Sequence, residues 1–146
     1  MLKIRALAAL MLAVPGAALA ADTFVMHRDV GCPCCAKWAA QLRQQFGRAV
    51  QVVDDTQRPA LQARLGIPRD LSSCHTVVIG GYAIEGHVPF ADIKRLLAQR
   101  PAGVRGIAVP GMPAGSPGME MPGGGAQRYD VIAFGPKLRR VFARHG

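Results

Sequence analysis

The sequence predicts an α/β domain, and three observations carry that expectation. Short runs of strand-forming residues alternate with longer amphipathic runs. Three of the four cysteines crowd into one turn, Gly31-Cys32-Pro33-Cys34-Cys35, at the mouth of the first amphipathic run. Gly66-Ile67-Pro68 then stands ahead of a β-branched segment, with Cys74 and His75 between them. The chain has 146 residues, half of them apolar, which suits one domain with a real core.

Thr23 to His27 is short and rich in strand formers, and it delivers the chain to the cysteine turn. Cys35, Trp38, Ala39, Leu42 and Phe46 then recur at helical spacing, with Lys37, Gln41, Arg43, Gln44 and Gln45 between them and Gly47 as the stop. Trp38, the single tryptophan, is assigned to the core. Ala49 to Val53 reads as a second strand. Asp54-Asp55-Thr56 follows as a turn, where capping explains the carboxylates better than metal ligation does. Pro59 to Leu65 reads as a short helix ended by Gly66, and Thr76 to Ile79 as a strand turning through Gly80-Gly81 into a partner, Tyr82 to His87. Pro89 opens another helix with Phe90, Ile93, Leu96 and Leu97 on one face, closing near Arg100-Pro101.

From Gly103 to Gly125 proline, glycine and methionine dominate, which predicts a surface loop without regular helix or central strand. Tyr129 to Phe134 and Leu138 to Ala143 follow as a C-terminal strand pair. Strand, helix, strand, helix, strand, strand, helix, with the cysteine turn after the first strand, is the layout of a thioredoxin-like three-layer sandwich. A cis bond at Pro68 would fit it.

Met1 to Ala20 has the anatomy of a secretory signal. Lys3 and Arg5 supply the charged start, Ala6 to Val14 the apolar stretch, and Ala18-Leu19-Ala20 the cleavage signal. The apolar run is too short to span a bilayer, so the expectation is an exported domain, 21–146, with no membrane span after cleavage. Losing Lys3 and Arg5 lowers the formal charge by two from +9, and the chain stays basic. No aromatic platform or recognition-helix pattern accompanies that charge. It is read as a solvated surface, Arg58 included, and not as a nucleic-acid site. The domain is expected to be a monomer.

Four cysteines in an exported chain usually suggest two disulfides. Here any pairing leaves one bond inside the Cys32–Cys35 stretch, worth roughly 2 kcal/mol in loop entropy against about 4 kcal/mol for the bond reaching Cys74. As converging ligands the sulfurs make better sense. Thiolates at a helix start meet the positive end of its dipole, Lys37 adds to this, and soft sulfur suits soft Cu(I). The spacing of Cys32, Cys34 and Cys35 is too crowded for a single structural zinc and fits thiolates bridging several copper ions. Cys74 completes the set. His75 is the first additional ligand candidate and His87 the next, and Met112 and Met119, with Met121 beside them, sit on the Pro/Gly loop as thioether candidates. The competing chemistry is thiol–disulfide exchange through the Cys32/Cys35 frame at the helix start. Exchange needs only two sulfurs and leaves Cys34, Cys74 and His75 without a role. No serine–histidine–acid arrangement, phosphate-cradling loop or spaced carboxylate pair stands out, so a metal-binding role is expected before an enzymatic one. An enzyme here would be a thiol- or copper-dependent oxidoreductase. Glu85 is assigned to the strand surface or to an ion pair.

Four motifs in order resemble the periplasmic CopG-type copper-resistance proteins, a family long carried as a domain of unknown function. They are Cys32-x-Cys34-Cys35-x-x-Trp38, Ser73-Cys74-His75-Thr76, Gly81-Tyr82 with Glu85-Gly86-His87-Val88-Pro89, and Val109-Pro110-Gly111-Met112-Pro113 with Gly115-Ser116-Pro117-Gly118-Met119-Glu120. The resemblance spans nearly all of the chain after residue 20. It implies a thioredoxin-like fold, a periplasmic location, and copper held by Cys32, Cys34, Cys35 and Cys74 in a role linked to copper tolerance, with other periplasmic copper-handling proteins as partners. One position departs from the family pattern: Pro33 stands where glycine is usual between the first two cysteines.

Overall fold

The computed structural model describes residues 23–146; the signal segment read in Met1–Ala20 lies outside them. The chain runs β1 (Phe24–Arg28), α1 (Pro33–Phe46), β2 (Val50–Asp54), α2 (Arg58–Leu65), a 3-10 turn (Arg69–Leu71), β3 (His75–Ile79), β4 (Tyr82–Glu85), α3 (Phe90–Gln99), β5 (Gly106–Ala108), β6 (Tyr129–Gly135) and β7 (Leu138–His145). One mixed seven-stranded sheet takes all the strands in the order β2-β1-β3-β4-β5-β6-β7. β1/β2 and β4/β5 pair parallel, and the other neighbours pair antiparallel. No helix among the described residues is long and apolar enough to cross a membrane.

α1 forms as its spacing predicts. Cys35, Trp38, Ala39 and Leu42 are buried, and Gly47 ends the helix in the left-handed region, its N–H donating to Arg43 O. Ile93 and Leu96 of α3 join the same apolar cluster, which also takes Ile84, Ile107, Val131 and Ala133 from the sheet. Alternate strand residues Ala83, Ala108 and Phe134 belong instead to a second cluster with Ile67 and Leu71. That two-residue alternation is what a sheet buried on both faces requires.

Four expectations need correction. The stretch after Gly103 is not all surface loop, because Gly106–Ala108 forms β5, fully buried in the middle of the sheet. Gly106 looks like a breaker in the sequence. In the structure it is needed, since a Cβ there would lie 2.2 Å from Ala83 O and 2.6 Å from Phe134 Cζ. No peptide bond among the described residues is cis, so Pro68 follows a trans bond. β4 stops at Glu85 rather than His87. Arg58 is not a surface charge: it is 4 % exposed and pairs with Glu85, Arg58 Nη1 to Glu85 Oε1 at 3.3 Å, so of the two readings of Glu85 the ion pair holds and the strand surface does not, the carboxylate being 0 % exposed. Asp55 does serve its turn, accepting from Gln57 N at 2.7 Å, and Trp38 is fully buried.

Candidate metal centre

Two walls meet at one end of the sheet. The first is the turn between β1 and α1. Cys32 is the N-cap of α1, and its Sγ accepts from Cys35 N at 3.4 Å. Pro33 takes the first helical position, where a missing N–H removes no intrahelical bond. Cys32 and Cys34 are half-buried, and Cys35 points inward with no exposure. Cys32 and Cys35 are joined as a disulfide, while Cys34 and Cys74 are free thiols. One local bond therefore forms, and none reaches Cys74.

The second wall is the start of β3 and the turn after β4. The Asp29 N–H donates to Cys74 O at 2.9 Å and so ties this wall to the first. β1 pairs with β3 antiparallel, Arg28 opposite His75, which puts Cys74 beside the cysteine turn despite forty intervening residues. All four sulfurs lie within 4.8 Å of one another. Gly86, with φ +72°, turns the chain back on itself so that His87 also faces Cys74; a Cβ there would lie 2.5 Å from Val109 O.

His87 Nε2 lies 3.1 Å from Cys74 Sγ and His75 Nδ1 3.6 Å, so the histidine ranked second by sequence is the closer one. Their rings meet edge-on with centroids 4.9 Å apart, and Trp38 covers His75 at 4.6 Å. The Pro/Gly loop closes over α1. Met112 Sδ is 3.9 Å from Cys34 Sγ, and Gln41 Nε2 donates to Glu120 Oε1 at 2.8 Å. Met112 itself is 51 % exposed. Met119 is half-buried and held by backbone bonds, its N–H to Ser116 O and its C=O from Gly115 N. Among the described residues, Met112 is the methionine brought against a site sulfur, while Met121 stays exposed.

Two solved structures of copper resistance protein CopG resemble this chain over nearly its whole described length. Form 1 is 41% identical with a TM-score of 0.77, covering 84% of this chain and 96% of that one. Form 2 is 40% identical at 0.76, covering 85% and 98%. This chain belongs to the CopG family of copper-resistance proteins. A family model described as a protein of unknown function, DUF411, matches residues 71–119, the stretch that holds Cys74, His75, His87, Met112 and Met119. No curated protein matches the chain.

The electrostatics of this CopG-type site separate its walls. Burial, and then the Cys34 sulfur, push the Cys74 thiol up to about 12. Burial holds both imidazoles neutral. His75 falls well below the usual histidine range, helped by His87 and the Arg58 charge. His87 falls less, because the Pro117 carbonyl and Glu120 pull it back. His87 Nδ1 donates to Pro117 O at 2.8 Å, which leaves Nε2 as a bare acceptor aimed at Cys74. His75 Nε2 is buried without a hydrogen-bond partner among the described residues. Two neutral nitrogens and four sulfurs form a soft donor set.

Sequence reasoning missed the polar shell behind Cys74. Glu85 Oε1 accepts from Ser73 N (2.7 Å), Gln62 Nε2 (2.7 Å) and Arg58 Nη1, and its Oε2 accepts from Thr76 Oγ1 at 2.5 Å. Burial raises this carboxyl while those donors pull it down. Ser73, Thr76 and Glu85 stand inside the recognised motifs, which is the signal that was available. Arg58 and Gln62 carried none.

Proposed function

We propose that this protein is an exported, periplasmic copper-binding protein that holds Cu(I) through the thiolates of Cys32, Cys34, Cys35 and Cys74. Its role in copper tolerance would be sequestration, transfer to other copper-handling proteins, or copper–thiol redox chemistry. The observation that carries the reading is the convergence of the four sulfurs within 4.8 Å. Distances of that order let one thiolate bridge two soft ions, which favours more than one copper per chain. His87 and His75 would complete the donor set at Cys74, Met112 brings a thioether against Cys34, and Met119 lies farther along the same loop. The strand order around β1, with α1 leaving the cysteine turn, supports a thioredoxin-like three-layer arrangement for the domain 21–146, which would act as a monomer.

Copper loading requires Cys32–Cys35 to open. Two electrons and two protons convert the disulfide to thiols, which then give up protons to the metal. Oxidised protein therefore binds little copper and regains it on reduction. A specific observation favours the second reading, thiol–disulfide exchange: the Cys32–Cys35 bond sits at the N-terminus of α1 with Cys32 half-buried and Cys35 inside. Reduction of insulin by the copper-free protein would favour exchange. Metal analysis with copper K-edge absorption on reduced wild type and on Cys74→Ser tests the copper reading. It predicts several sulfur-ligated Cu(I) ions per wild-type chain and fewer sulfurs per copper in the variant, and identical spectra would overturn it.

A further inference from the structure

We infer that Arg58 is the positioning residue of this centre, holding the wall that carries Cys74 against the wall that carries the other three cysteines. The inference rests on the copper-thiolate reading for its purpose and on contacts for its substance. The Arg58 guanidinium spends its hydrogen bonds on oxygens and not on a site sulfur, and it reaches three segments at once. Nε donates to Asp29 Oδ1 at 2.9 Å, Nη1 to Thr76 Oγ1 at 3.2 Å and to Glu85 Oε1, and Nη2 to Ser73 O. Asp29 begins the cysteine turn, accepting from Cys32 N at 3.2 Å and donating to Cys74 O. Ser73 and Thr76 flank the Cys74-His75 pair on either side.

Both backbone groups of Ser73 are thus held by buried side chains, the carbonyl by Arg58 and the N–H by Glu85. Such a fork suits arginine, whose five donors lie in one rigid plane; a lysine ammonium is a single point on a flexible stem. In the oxidised protein the Cys32–Cys35 bond fixes the geometry of its own wall. Once that bond opens, nothing covalent sets the spacing of the four sulfurs, and the Arg58 fork, with the Asp29–Cys74 backbone bond, keeps Cys74 in reach.

A metal-free experiment reads this directly. In the full chain carrying Cys32→Ser and Cys35→Ser, the remaining thiols, Cys34 and Cys74, are cross-linked with diamide. Two thiols lose two protons and two electrons, a sulfur–sulfur bond forms, and diamide becomes its hydrazine. Arg58→Met should slow that cross-link at least tenfold under conditions where circular dichroism shows the variant folded, and Arg58→Lys should not restore the rate. Asp29→Ala removes an exposed partner of the fork, so its fold is secure, and it should slow the reaction several-fold with Tm unchanged. In the native cysteine background, Arg58→Met and Asp29→Ala should weaken Cu(I) retention and lower the thiolate-to-copper absorption in the same order. Unchanged cross-linking in the folded variants, or in Asp29→Ala and Arg58→Lys should Arg58→Met not fold, would overturn the inference. Wild type that binds no Cu(I) would remove the copper reading and leave the cross-linking result to decide the role of Arg58.

Discussion

The two walls of the centre are built on opposite principles. The turn at α1 is half-exposed, rich in sulfur and closed by a bond that electrons can open. The wall at β3 is buried, mixes one sulfur with two imidazoles, and is governed by protons, since burial keeps Cys74 a thiol and both histidines neutral. A metal ion that uses both walls therefore answers to redox state on one side and to pH on the other. Chemistry that needed only an exchangeable dithiol would have no use for the second.

Three measurements sharpen or break that contrast. Oxidation should have the largest effect. Diamide-treated protein should retain less than about a tenth of the copper held by the reduced form, because the thiolate is the ligand, and dithiothreitol should restore it. Equal uptake by the two forms would erase the redox wall. His87→Ala comes next. Removing the neutral Nε2 at 3.1 Å from Cys74 should weaken Cu(I) by about 10–100-fold, the range typical of groups that orient or complete a metal site, as read by chelator competition. Retention of wild-type affinity would confine binding to the turn.

The smallest effect is the pH slope. With its folded value near 12, Cys74 is protonated across pH 6 to 8 and must release that proton to become a ligand. Metal competes with protons there, so apparent Cu(I) affinity rises with pH. The wild-type slope should exceed that of Cys74→Ser by about tenfold in affinity per pH unit, one proton's worth. Parallel slopes would mean that Cys74 stays a thiol in the loaded protein.

What the sequence made legible was what local spacing encodes. The buried stripe Cys35, Trp38, Ala39 and Leu42 follows from helical periodicity alone. The gathering of Cys74 with the turn was expected but not fixed by the order of elements; the antiparallel β1–β3 pairing, which no local pattern encodes, is what brings it there, with Pro68 trans. β5 was hidden since Gly106, flanked by a Pro/Gly-rich texture, signals a break unless one knows that Ala83 and Phe134 press on it from the neighbouring strands. Which histidine lies nearer Cys74 was hidden for a similar reason. Adjacency in sequence favoured His75, while the sharp turn at Gly86 brings His87 nearer. Arg58 was unreadable: on a short helix with other arginines nearby, nothing local separates a buried fork from a solvated charge.

Pro33 bears on how the site changes state. Fixed at the first position of α1, it limits the torsional freedom that the turn would otherwise gain when Cys32 and Cys35 separate. A glycine there would let the opened turn explore many shapes, each to be given up again on capturing an ion. With a rigid ring between the first two sulfurs, the turn should pass between its closed and opened forms with little backbone rearrangement.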